Sequence, residues 1–237
     1  MRRGASALPG LAALAFVLGS PGAGASEIPG AVIVLETAPG TPGSDPSAAP
    51  PRFVLLRDGQ VFVGGTERLE AGRLEKGEAA ALQKRADAVR KLPGIGRSPV
   101  ALGGDASRTT RLWLREGPVE VIATGDPAAA PPGLAPLASL LSELLAFQHP
   151  SLRPYAPASY AMSVREARLV GGCRAWQFAF PIAQAQAGPR AVTAAEAAGW
   201  PTGGVPASVC ADDAGPSASA GRRYAVTLRP LLPGEQP

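Results

Sequence analysis

The chain carries one histidine, His149, and two cysteines, Cys173 and Cys210. Nucleophilic and metal chemistry therefore have few groups to draw on. A Ser-His-Asp hydrolase would need His149 as its general base. His149 stands in Gln148-His149-Pro150, just past a helical pattern, where an imidazole interacts favourably with the helix C-terminus. That bland role is the preferred reading. The G-x-S-x-G elbow of serine hydrolases does not occur. Gly96-Arg97-Ser98-Pro99-Val100 has the serine but lacks the second glycine. Paired carboxylates are the other route to acid–base catalysis. Glu166 and Glu196 are candidates, but sequence alone does not pair them, so no catalytic residue is assigned.

The usual zinc sets need four Cys or His ligands, more than one histidine and two bridged cysteines supply. Asp212-Asp213 offers carboxylates, but a hard cation asks for six or more oxygens. A solvated loop is the better reading, and no metal residue is assigned. Gly94-Ile95-Gly96 and Gly103-Gly104 lack the third glycine and the Lys-Ser/Thr pair of nucleotide-binding loops. No cofactor is expected. Cys173 and Cys210 are expected to form one structural disulfide, closing a loop of about 38 residues and stabilising by roughly 3–4 kcal/mol. A redox or metal pair is the alternative, weakened by the absence of a C-x-x-C.

Recognition chemistry rests on aromatics and cations. Arg73, Lys76, Lys84, Arg85, Arg90, Lys91 and Arg97 surround one helical segment. Glu70, Glu75, Glu78 and Asp87 are interleaved, as on a solvated helix face. Trp113, Trp176 and Trp200 could stack on a sugar or peptide, although buried aromatics are commoner. Trp113 is the exception, because strand alternation turns it away from the apolar face. It is the possible ligand contact.

Residues 1–25 read as a cleavable secretory signal. Arg2 and Arg3 precede an apolar stretch from Leu8 to Leu18, followed by Gly and Pro and the small triplet Ala23-Gly24-Ala25. Its core of about 11 residues falls short of the roughly 20 a membrane span needs. The expected location is periplasmic or secreted, with no transmembrane segment after cleavage. Of 23 Lys and Arg, two leave with the signal, so 21 face 19 Asp and Glu. That balance excludes a nucleic-acid footprint. Lys occurs three times and Asn not at all, and Ala, Gly, Pro and Arg abound, a usage associated with GC-rich bacterial coding.

The elements that must position these groups are strands and helices of a small α+β domain. Ile28 to Leu35 contains a first strand, and Thr37 to Pro51 reads as a Pro/Gly-rich linker. A single domain is expected over 52–237, with a duplicated ββα portion over 52–150 and a strand-rich portion over 151–237. Phe53 to Val63 reads as a hairpin about Asp58-Gly59, pairing Leu56 with Val61 and Val54 with Val63. Fifty-eight residues on, Leu112 to Val121 repeats the shape about Glu116-Gly117, with Leu112, Leu114, Val119 and Val121 on one face. Helical stripes follow each hairpin, over Lys76 to Leu92 and Leu134 to Phe147, stopped by Pro93-Gly94 and Pro150. Two ββα units are the simplest account.

Beyond 151, strands are expected at Ser159–Val164, Glu166–Val170, Arg174–Phe180, Ala207–Cys210 and Arg223–Leu228. Thr193, with Glu196 as its capping-box partner, should start a short helix through Gly199. Asp212 to Gly221 reads as an exposed loop.

Three segments carry a resemblance: the L-x-x-D-G-x-V hairpin Leu55 to Val61, Arg153-Pro154-Tyr155-Ala156-Pro157-Ala158, and Arg229-Pro230-Leu231-Leu232-Pro233-Gly234-Glu235. Over most of residues 52–235 the chain resembles a set of uncharacterised exported bacterial proteins, best known from actinobacteria. Such relatives often have Asp where Gly234 stands and a cysteine after the acidic residue, whereas here Gln236 and Pro237 follow. The resemblance implies export and supplies no activity, ligand or catalytic residue. The function expected is a non-enzymatic exported binding or interaction module of the bacterial cell envelope or exterior. Its ligand is open; an envelope protein or polymer fits the compartment. The alternative is an exported hydrolase using His149 or paired carboxylates.

Overall fold

The computed structural model describes residues 28–39, 51–65, 68–105, 108–115, 118–167, 172–202, 206–210 and 223–237. The proposed signal segment, residues 40–50 of the expected linker, Glu116-Gly117, residues 168–170 of the strand expected over Glu166–Val170, and the whole loop from Asp212 to Gly221 lie outside the described residues.

The fold is α+β, with two sheets and three helices among the described residues. The first sheet takes β1 (Ala31–Pro39), β2 (Phe53–Leu56), β3 (Gln60–Val63), β4 (Glu70–Arg73), β5 (Val100–Gly103), β6 (Arg108–Leu114), β7 (Val119–Gly125) and β8 (Arg153–Pro154). Their order is β5-β7-β6-β1-β2-β3-β4-β8. β1 pairs antiparallel with β2 on one side and β6 on the other, so it joins the two hairpins. Val32, Ile33, Val34 and Leu35 are all buried. That unbroken apolar run is what a strand covered on both faces requires.

Helices α1 (Lys76–Arg90) and α2 (Ala135–Leu145) cover one face. Leu82, Ala86 and Val89 of α1 and Leu137, Leu140, Leu141 and Leu144 of α2 form one core with Phe53, Leu55, Val61, Val63, Leu112, Leu114 and Val121. Each fully buried side chain of this size contributes roughly 1.5–3 kcal/mol. The Glu78 carboxylate accepts the Glu75 N–H at 2.8 Å, starting α1. Past its end, Gly94 takes a φ of 75°. The last carbonyls of α2 find a donor in Arg52, whose Nε and Nη2 reach Leu145 O at 3.1 and 2.7 Å.

The first hairpin corrects the expected register. Phe53 faces Val63, Val54 faces Phe62 and Leu55 faces Val61. Three residues, Arg57 to Gly59, make the connection, and Gly59 has a φ of 85°. The extra turn residue shifts the pairing by one, so Phe53 and Leu55 face the helices while Val54 turns to the other side. In the second hairpin Leu112 faces Val121 and Leu114 faces Val119, placing those four on the helix side as expected. The units are not bare ββα repeats, since β4 precedes α1 and β5 precedes β6.

The second sheet has the order β10-β12-β13-β9-β11, from β9 (Ser159–Glu166), β10 (Arg174–Ala175), β11 (Arg190–Thr193), β12 (Ala207–Cys210) and β13 (Arg223–Pro230). Met162, Val164, Val209, Tyr224, Val226 and Leu228 pack beneath Phe178, Ala185 and Trp200. A short helix, α3 (Ile182–Gln186), lies in that cover. Cys173 and Cys210 form the disulfide, with Cα atoms 5.4 Å apart. The strand expected over Arg174–Phe180 stops at Ala175. The Trp176 indole N–H donates to Phe180 O, and the three rings cluster instead of alternating. The helix expected after Thr193 is a run of turns. Its Thr193–Glu196 capping bonds do form, and Gly199 ends it at a φ of 77°.

Candidate functional site

Two side-chain groups merit chemical reading. The first lies on the outer face of β6 and β7, away from the helices. β6 presents Thr109, Arg111 and Trp113, and β7 presents Glu120, Ile122 and Thr124. The Arg111 Nε lies 3.1 Å from a Glu120 carboxylate oxygen, diagonally across the ladder. The Arg111 guanidinium carbon is 5.8 Å from the Trp113 ring centroid, within cation–π range. Trp113 is half-buried, as its outward register requires, and packs against the cluster that contains Val34, Val54 and Phe62. Its indole N–H closes no hydrogen bond of good geometry, yet it approaches Glu36 closely enough to favour that carboxylate's ionised form.

Glu36 faces Arg111 across the β1–β6 ladder. Burial pushes its pKa above the usual carboxylate range, against the pull of Arg111, Arg229 and the Trp113 N–H; the Glu235 charge pushes it further up. Arg229 Nη1 and Glu235 Oε1 are 2.7 Å apart, with side chains 6% and 0% exposed. Glu235 Oε2 also accepts the Leu232 N–H at 2.8 Å. Gly234 makes this tight turn at a φ of 74°, against Pro29. Leu232 then packs with Val34, Val54 and Phe62. The C-terminal R-P-L-L-P-G-E segment is thus a folded turn docked on the first sheet's outer face. Glu36 does not stand out in the sequence beyond being a charge beside a β-branched run, and the Arg229 to Glu235 signature gives no sign that its two ends pair.

The second group surrounds His149, which lies past the end of α2. Its Nδ1 is 2.7 Å from the Ser151 hydroxyl, and its Nε2 is 3.3 Å from Glu78 Oε1. The Ser151 N–H also approaches Nδ1, at 3.2 Å. A proton on Nε2 satisfies all three contacts. The Ser151 oxygen accepts the Arg73 N–H at 3.0 Å and lies directly over Gly72, where a Cβ would stand 2.5 Å from it. Acid, imidazole and hydroxyl are in series, but the backbone of β4 closes one approach to the oxygen.

The other candidates are not assembled. Ser98 is exposed in the turns after α1. Glu166 ends β9, whereas Glu196 follows Thr193 of β11, which pairs with Ser159 at the opposite end of β9, about 20 Å away by strand rise. Glu196 is bound to Thr193, whose N–H holds its carboxyl below the usual range. Trp200 is buried and Trp176 half-buried, packed in the second core. Of the basic group, Arg73, Arg85 and Arg90 pair with Asp58, Glu143 and Asp87. A shallow cleft of about 200 Å³ is lined by Asp105, Arg108, Gly125 and Asp126. There Asp126 Oδ1 already caps the Ala128 N–H at 2.9 Å. Among the described residues no three His, Cys, Asp or Glu side chains gather in a metal-binding group. Comparison with protein-family models, curated proteins and solved structures finds no match.

Proposed function

We propose that this protein is an exported, non-enzymatic binding module of the bacterial cell envelope or exterior, gripping its partner through the outer face of β6 and β7. The observation that carries this reading is Trp113, half-exposed on a paired ribbon beside the Arg111–Glu120 ion pair. An aromatic plane next to a fixed cation and carboxylate suits a partner with flat apolar faces and polar rims, such as a wall glycan or an envelope peptide. Export is supported by the order of charges, apolar core and small residues in 1–25, and by the Cys173–Cys210 disulfide, which suits an oxidising compartment. No helix among the described residues is long and apolar enough to cross a membrane. The test is co-sedimentation with purified cell-wall glycan and capture by immobilised envelope peptides. Wild type should be retained, and a folded Trp113→Ala protein should lose retention by more than about tenfold. Equal retention of the two proteins refutes the assignment of Trp113.

A specific observation favours a second reading, an exported hydrolase. It is the series Glu78–His149–Ser151, in which Ser151 would be nucleophile, His149 general base and Glu78 its orienting partner. A fluorophosphonate that labels wild type at Ser151 but not His149→Ala supports it. No labelling, with no turnover on an ester and amide panel, removes it.

A further inference from the structure

We propose that the exposed side of α1 is a docking row for a linear, phosphate-bearing polymer, held by Lys76, Lys84 and Lys91. The row lies on the helix layer, across the first sheet from Trp113, and does not depend on what Trp113 binds. These three are the only lysines in the chain. Stepping by four along α1 from Lys76 leads to Ala80, Lys84 and Ala88, and Lys91 follows at the helix end, so all five share one side. All five are exposed. The opposite stripe, Leu82, Ala86 and Val89, is buried in the core. At 1.5 Å per residue the lysines leave the helix at points about 12 and about 10 Å apart along its axis.

The surrounding charges are already matched. Arg73 pairs with Asp58, Arg85 with Glu143 of α2, and Arg90 with Asp87. Asp87 stands within a turn of both Lys84 and Lys91, and its charge is met by Arg90. Glu75 and Glu78 make the capping box that starts α1, and Glu78 also meets His149. Glu70 is held by Arg68. Among the described residues no lysine side chain has an ion-pair or hydrogen-bond partner. The interleaved acids are thus satisfied by arginines and by the helix start, and three unmatched cations remain in line. Their chemistry selects the occupant. An ammonium is a compact point charge suited to phosphate oxygens, whereas planar, bidentate recognition belongs to arginine. No aromatic residue occurs in α1 to stack a base or a sugar ring. A helix that lies on a bilayer turns Leu, Phe or Trp to the acyl chains, but the large apolar side chains Leu82 and Val89 are in the core. Ala80 and Ala88 leave low ground between the charges. A polymer lying along the axis can therefore meet all three lysines at once, and its second and third contacts form within one complex.

The probe is end-labelled inorganic polyphosphate, and the full chain is titrated into it by fluorescence anisotropy at several salt concentrations. Three lysine–phosphate contacts predict that log K falls against log salt with a slope near −2, about 0.7 per contact. Each single change, Lys76→Gln, Lys84→Gln or Lys91→Gln, should make the slope shallower by about 0.7. The triple variant should lose affinity by more than about tenfold. Orthophosphate at equal phosphate concentration should fail to displace the polymer. Trp113→Ala and Arg165→Gln, which alter the opposite face and the second sheet, should bind as wild type does. The proposal is overturned by no binding, by displacement with orthophosphate, by a triple variant that keeps the wild-type slope, or by an equal loss in Arg165→Gln or Trp113→Ala. Tighter capture by phosphatidylglycerol vesicles than by polyphosphate, at matched phosphate, assigns the row to a membrane and also overturns it. Should the triple variant not fold, the slopes of the single variants decide.

Discussion

Changing Glu235 to Gln would take from the buried Arg229 guanidinium the carboxylate that lies 2.7 Å from it. The side chains are 6% and 0% exposed, so water cannot replace the lost partner. Removing one member of such a pair costs about 3–5 kcal/mol, whereas replacing both by apolar groups of similar volume is often neutral or stabilising. Glutamine can still accept the Leu232 N–H, so the loss isolates charge rather than turn geometry. With a urea slope near 2 kcal/mol/M, Glu235→Gln should move the unfolding midpoint down by roughly 2 M. The double variant Arg229→Met with Glu235→Leu should recover most of that shift, giving a coupling energy above about 1 kcal/mol. Arg111 remains beside Glu36 in every variant. A Glu235→Gln midpoint within about 0.3 M of wild type, or a double variant as weak as the sum of its singles, refutes the claim that a dry ion pair closes this turn.

Three other outcomes follow from the geometry. Gly125→Ala should destabilise by about 1–3 kcal/mol or more by thermal or urea unfolding, because φ is 107° and a Cβ would stand 2.2 Å from Gly103 O. Replacing both Cys173 and Cys210 by Ser should cost roughly 3–4 kcal/mol in the loop-entropy account, with exchange rising first around β10 and the Trp176 cluster that the bridge ties to β12. Glu78 is held below the usual carboxylate range by the Glu75 N–H and by His149, so its contribution is present above its ordinary pKa and lost as pH falls through the lowered one. Wild-type stability should then decline more steeply below about pH 4.5 than that of Glu78→Gln, read as unfolding midpoint against pH.

What sequence revealed tracks the range of the forces involved. The α1 and α2 stripes repeat near 3.6 residues, so Leu82, Ala86, Val89 and Leu137 to Leu144 were visible as a buried face. The Leu112–Val121 alternation was visible for the same reason, and with it the outward placement of Trp113. The first hairpin's register was not, because Asp-Gly serves two-residue and three-residue connections alike and both strand faces are apolar. β4, β8 and β10 carry almost no signal of their own: Glu70-Ala-Gly-Arg is a polar strand ordered by its pairing with β3 and β8. The charged groups were least legible. Glu36 comes to face Arg111, and Glu78 meets His149, only through tertiary contact over long separations, and charge alone does not say which residues meet. That Arg229 and Glu235 form an internal ion pair likewise required the fold.

The central place of β1 sets an order on assembly. Its first partner, β2, arrives within a short stretch of chain, but its second, β6, lies far downstream, with Leu35 pairing Leu112. A chain emerging amino end first would therefore carry a half-paired apolar strand, its open ladder edge awaiting synthesis of the second hairpin. Such an edge invites pairing with another nascent copy, and the late, non-local closure slows the search for the native sheet.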